Sequence, residues 1–108
     1  MRLSSLGQLR RFEEAKELMR RTLPAARRTL GESHNLTLQV SWNYAQSLYE
    51  DSAATLDDLR EAVTTLEETE RTARRVLGGA HPTTVGIERA LREARAALGA
   101  RDTPSGSA

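Results

Sequence analysis

The chain has 108 residues, enough for one domain with a modest core and too few for a large internal cavity. Sixteen basic residues against 15 acidic ones leave a formal charge of +1 with the two signs interleaved, so no broad field attracts nucleic acid or an acidic membrane. The absence of cysteine removes disulfides, thiolate nucleophiles and zinc–thiolate sites, and a reducing cytoplasmic setting is the default expectation.

The opening stretch "MRLSSLGQLRRF" carries Arg and Ser and no acid, a composition shared with organelle transit peptides. The expectation is instead a short lead-in over residues 1–7 and a first helix over about 8–30. There Leu9, Phe12, Ala15, Met19, Leu23, Ala26 and Leu30 recur at steps of three and four along one helical face. Acids early in this segment (Glu13, Glu14, Glu17) and bases late (Arg20, Arg21, Arg27, Arg28) complement the helix dipole, and Gly31 supplies a stop. Pro24 is discordant, because inside a helix it removes a backbone hydrogen bond and should loosen the turn before it.

A second helix is predicted over about 35–50, with Leu38, Ala45 and Leu48 on one face and Val40 and Tyr44 beside it. That apolar surface is wide enough to contact helices on both sides. Thr55 followed by Asp57 and Asp58 reads as a capped start. A third helix over about 56–77 then carries Leu59, Ala62, Val63, Leu66, Ala73, Val76 and Leu77 inward and stops at Gly78 and Gly79. On its outer side Glu67–Arg71 and Glu70–Arg74 are spaced as i,i+4 pairs. A fourth helix over about 82–98 begins at Pro82, keeps Thr84, Ile87, Leu91, Ala94 and Leu98 in register, pairs Glu88 with Arg92 and stops at Gly99. The helical domain thus spans 8–99, and residues 100–108 have nothing to bury and read as a disordered tail. No segment alternates with period two, so no strand is predicted.

Sliding the chain on itself exposes a repeat: Leu77 minus Leu30 is 47. At that offset Glu14 and Ala15 fall on Glu61 and Ala62, Ala26 to Arg28 on Ala73 to Arg75, and Leu30, Gly31, His34 and Thr37 on Leu77, Gly78, His81 and Thr84. Four helices become two copies of a helix pair, as in an α-solenoid. The segments "FEEA" and "LREA", "TLGESHNLT" and "VLGGAHPTT", and "NYAQSLY" at 43–49 resemble the tetratricopeptide repeats of the kinesin light chain type over roughly residues 7–98. The departures are a longer unit, with its surplus in "YEDSAATLDDL", Asn35 where the turn proline stands, and Ala90 where the motif has Asn. The fold expected is all-α: a right-handed, tetratricopeptide-like α-solenoid of four antiparallel helices in two helix-turn-helix pairs.

That resemblance implies a protein-interaction module that holds a peptide or partner helix on the concave face, lined by the first helix of each pair. On the second helix Gln39, Trp42, Gln46 and Tyr49 form a stripe turned away from Leu38, Ala45 and Leu48. Asn43 matches the family asparagine, whose amide can both donate to and accept from a peptide backbone. Trp and Tyr are the residue types of binding hot spots, although Trp42 could equally pack into a neighbouring helix. The counterparts at +47 are Gly86, Arg89, Ala90, Glu93 and Ala96, so the stripe is not repeated. Arg27 and Arg28, with Arg74 and Arg75, are weaker candidates for gripping an acidic ligand; more often such pairs complement a helix end.

His34 and His81 occupy equivalent turns and read as capping residues, since repeat-related positions are translated apart and cannot converge on a metal. No phosphate loop, His-Glu-x-x-His or nucleophile elbow occurs. The expectations are therefore no catalysis, no cofactor and no metal. The partner is a protein or peptide rather than nucleic acid or membrane, with self-association or a longer array suggested by a frame that opens on a second helix. The alternative is a purely structural segment of a larger solenoid, supporting a neighbouring domain without a ligand of its own.

Overall fold

A computed structural model describes the backbone of residues 2–51 and 53–102 and side chains within 13–51 and 53–101. Four helices follow in order: α1 (Arg2–Leu30), α2 (Asn35–Tyr49), α3 (Leu56–Leu77) and α4 (Pro82–Asp102). Consecutive helices fold back on one another, and α2 also touches α4, whereas α1 packs its backbone closely against α2 alone. This is the all-α arrangement of a tetratricopeptide-like solenoid, with α2 and α4 as neighbouring first helices and α1 and α3 as second helices.

The two joints are built alike. Gly31 (φ +89°) and Gly78 (φ +93°) are the residues with positive φ among those described, the left-handed conformation in which a side chain is disfavoured. Their N–H groups donate to the carbonyls of Arg27 (3.1 Å) and Arg74 (3.0 Å) and so close the last turn of each helix. Three residues on, His34 Nδ1 accepts from the N–H of Leu36 and His81 Nδ1 from that of Thr83, each at 3.1 Å. Both histidines therefore satisfy one of the free donors that open α2 and α4.

Helix ends depart from the sequence expectation at two places. The stretch expected as a lead-in over 1–7 is helical from Arg2, and α4 runs past Gly99 to Asp102. A glycine inside a helix costs only about 1 kcal/mol. It stops a helix when it turns left-handed, which Gly7 and Gly99 do not do. Met1 and residues 103–108, which hold most of the expected tail, lie outside the described residues. α1 also continues through Pro24, which is exposed, although the proline removes one hydrogen bond of the helix.

The core is a layer of Leu38, Leu48, Leu59, Leu66 and Ile87, all 2 % exposed or less, interleaved with Ala45, Ala62, Ala73 and Ala94. Small residues between large ones let the helix axes approach. Tyr44 ties three helices together at the edge of this core: its hydroxyl donates to Glu61 of α3 at 2.5 Å and accepts from Arg20 Nε of α1 at 3.4 Å. Burial, then the bond to the Glu61 carboxylate, push the Tyr44 phenol above its ordinary range, with Arg20 pulling the other way.

The surplus residues between α2 and α3 pack inward. Asp51 and Ala54 are buried, and Thr55 forms a reciprocal cap with Asp58, each backbone N–H bonded to the other's side chain at 3.1 Å. Beneath them lies the chain's single lysine, Lys16, with its ammonium 3.8 Å from Glu13, 3.9 Å from Asp51 and 3.8 Å from Asp58. On the other side of the stack, Arg74 holds Glu70 and, across the helix gap, Glu88, while Arg95 reaches Glu67 at 2.9 Å. The local pair Glu70–Arg74 forms; Glu67 and Glu88 instead leave Arg71 and Arg92 for arginines that α3–α4 packing brings closer.

Candidate functional site

The α2 stripe lies along the crevice between α2 and α4. Trp42 is half-buried, and its indole covers Gly86 of α4 so closely that a Cβ built there would fall 2.7 Å from ring atom Cζ2. Tyr49, about two turns further on, donates its hydroxyl to Glu93 Oε1 of α4 at 3.0 Å. Desolvation and that carboxylate bond raise the Tyr49 phenol far above its usual range, so it stays protonated as the donor. Gly86 and Glu93 are among the +47 counterparts of the stripe, so the structure sets the two sets side by side.

The remaining positions are polar. Asn43 is exposed and Gln39 half-buried, with no side-chain hydrogen bond described for either, and Gln46 Nε2 donates to Glu50 Oε2 at 3.0 Å. Arg89 is exposed on α4, while Ala90, the counterpart of Asn43, is buried in the core. The result is a surface with a fixed aromatic floor, an amide with unused donors and acceptors at its edge, and one charge of each sign from Arg89 and Glu93. Trp42 is largely a packing residue, its ring resting on Gly86 of α4 and against the core, with part of the side chain still accessible. A mid-helix glycine at position 86 was the available signal that a large side chain crosses there.

The four arginines do not form one site. Arg27 and Arg28 end α1 and Arg74 and Arg75 end α3. Arg74 is held between Glu70 and Glu88, with the bond to Glu70 the main cause of its raised pKa, so its charge is already matched. Arg28 and Arg75 are exposed and without a described carboxylate partner. Among the described residues no group of three or more His, Cys, Asp or Glu could hold a metal ion, and no helix is long and apolar enough to cross a membrane.

A tetratricopeptide repeat family model matches residues 4–36, a stretch that takes in most of α1, the Gly31 turn and the first residues of α2. No curated protein and no solved structure matches the chain. Although it covers under a third of the sequence, the match falls on the first of the two joints. With four helices and no strand among the described residues, it supports a tetratricopeptide repeat protein. Such repeats generally serve as protein–protein interaction modules and non-enzymatic scaffolds.

Proposed function

We propose that the chain docks an extended peptide or partner helix across the α2–α4 crevice, in the manner of a kinesin light chain type array. The observation that carries this reading is the order imposed on the two aromatic residues. Gly86 seats Trp42 and Glu93 fixes Tyr49, so two large amphipathic side chains are partly accessible with little conformational entropy left to lose on binding. Beside them Asn43 can bond a peptide backbone at both its N–H and its C=O. Gln39 and Gln46 extend the polar edge, and exposed Arg28 and Arg75 are available to acidic flanks of a ligand.

The test is selection of peptides from a random display library on the whole chain, followed by binding to single variants. Asn43 is exposed and bonds nothing described, so Asn43→Ala should leave the melt unchanged while weakening selected peptides by about five- to tenfold, or roughly 1 kcal/mol. Trp42→Ala should lower both binding and stability, because the ring also packs on α4. A library that yields no binder, or binders indifferent to Asn43, would sink this reading and leave a structural segment of a larger solenoid.

A further inference from the structure

The free face of α1 supports an inference that does not depend on peptide docking. Within the stack α3 buries an arc formed by Ala62, Thr65, Leu66 and Thr69. The residues 47 earlier on α1 are Ala15, Leu18, Met19 and Thr22, and the α1 backbone packs closely on α2 alone, with the Lys16 side chain reaching Asp58 of α3. Thr65 is 9 % exposed, yet its counterpart Leu18 is 64 % exposed, with Ala15, Met19 and Thr22 half-buried around it. A leucine is thus open to water at a position that the repeat treats as interior.

We propose that this face pairs with the same face of a second copy of the chain, α1 antiparallel to α1 about a two-fold axis at Leu18. The charge pattern selects that occupant. Glu14 lies four residues before Leu18 and Arg21 three after, on the same edge of the helix. Both are exposed and have no described partner. Antiparallel pairing through Leu18 sets Glu14 of each copy beside Arg21 of the other, giving two identical ion pairs around an apolar centre. Parallel pairing would oppose like charges.

The opposite end of the stack argues for a closed pair over an open chain of copies. α2 buries Ser41, Ala45 and Leu48, whereas the equivalent positions of α4 are Glu88, Arg92 and Arg95. That face lines an open groove of about 370 Å³ with Glu70 and Arg74, and two of its charges are already paired with α3. Its one apolar lining residue, Leu91, is 7 % exposed and offers little surface for Leu18, so α1 meets α1 and the interface is self-complementary.

Sedimentation equilibrium of the whole chain tests this. The wild type should approach twice its 12.0 kDa mass in the micromolar to submillimolar range and dissociate further as salt rises. Leu18→Glu should sediment as a monomer with unchanged helical circular dichroism. Glu14→Arg and Arg21→Glu should each weaken association by about tenfold or more, since each sets like charges together twice. Mixing those two variants should restore a mixed dimer, because both ion pairs are then rebuilt. A wild type that stays at 12.0 kDa throughout, a dimer indifferent to Leu18→Glu, or variants that do not recover on mixing would each overturn the proposal.

Discussion

The joint between α1 and α2 and the joint between α3 and α4 share a design, but the helices that leave them do not. Both use a glycine at φ near +90°, a histidine whose Nδ1 caps the next helix at 3.1 Å, and a buried threonine three residues after the histidine. Beyond the turn, α2 buries Ser41, Ala45 and Leu48 where α4 carries Glu88, Arg92 and Arg95. The difference follows from neighbours. A turn is determined by backbone geometry and recurs wherever the same reversal is needed. A helix face is determined by what covers it, and α2 lies between α1, α3 and α4 while α4 touches only α2 and α3.

The widest separation between the copies should appear at Leu48 and Arg95. Leu48 is fully buried, so Leu48→Ala should cost about 2–5 kcal/mol through lost transfer energy and the cavity left behind. Arg95 occupies the same register in an exposed ion pair with Glu67, and Arg95→Ala should cost no more than about 1 kcal/mol. Chemical denaturation of both variants checks this; equal losses would mean that the α4 face is buried in solution.

Lys16 sharpens the comparison from the other side, since its counterpart is Val63. The lysine neutralises buried Asp51 together with Asp58, so Lys16→Met should destabilise by roughly 3 kcal/mol by leaving an uncompensated carboxylate. Adding Asp51→Asn should recover part of that loss, measured as a double-mutant cycle. A fully additive cycle would show that the two side chains act independently.

These residues also mark where sequence reading succeeds and where it stops. The turns were legible because a left-handed glycine, a capping side chain and the 47-residue offset are all local features. The four helices followed from their apolar steps. Lys16 was not legible, because its three carboxylates come from α1, the α2–α3 connection and α3, and no periodicity joins them. Glu67 and Glu88 were misassigned for the same reason: i,i+4 spacing favours Arg71 and Arg92, but packing brings Arg95 and Arg74 nearer. Gly99 looked like the stops at Gly31 and Gly78, yet only a following reversal makes a glycine adopt positive φ. The Trp42–Gly86 contact needed the angle at which α2 meets α4, which neither helix states alone.

Gly31→Ala and Gly78→Ala should behave alike. A Cβ at either position meets nothing within 4 Å, so the cost is conformational alone, about 1–2 kcal/mol each. Thermal melts that differ between the two by more than that amount would break the equivalence of the joints.

The smallest effect should differ in sign. Thr37 and Thr84 are equivalent and both buried, but the Thr37 hydroxyl donates to the Ala26 carbonyl at 3.4 Å, while Thr84 Oγ1 has no partner among the described residues. The carbonyl that would answer it by repeat symmetry belongs to Ala73. Replacing threonine by valine keeps the shape and removes the hydroxyl. Thr37→Val therefore loses a long hydrogen bond and should cost about 0.5–1 kcal/mol, whereas Thr84→Val removes an unpaired buried polar group and should stabilise by up to about 1 kcal/mol. Opposite shifts in the denaturation midpoint at constant slope would bear this out. If Thr84→Val lost as much as Thr37→Val, the Thr84 hydroxyl would have to find a partner in solution, and the two joints would be more alike than their hydrogen bonds show.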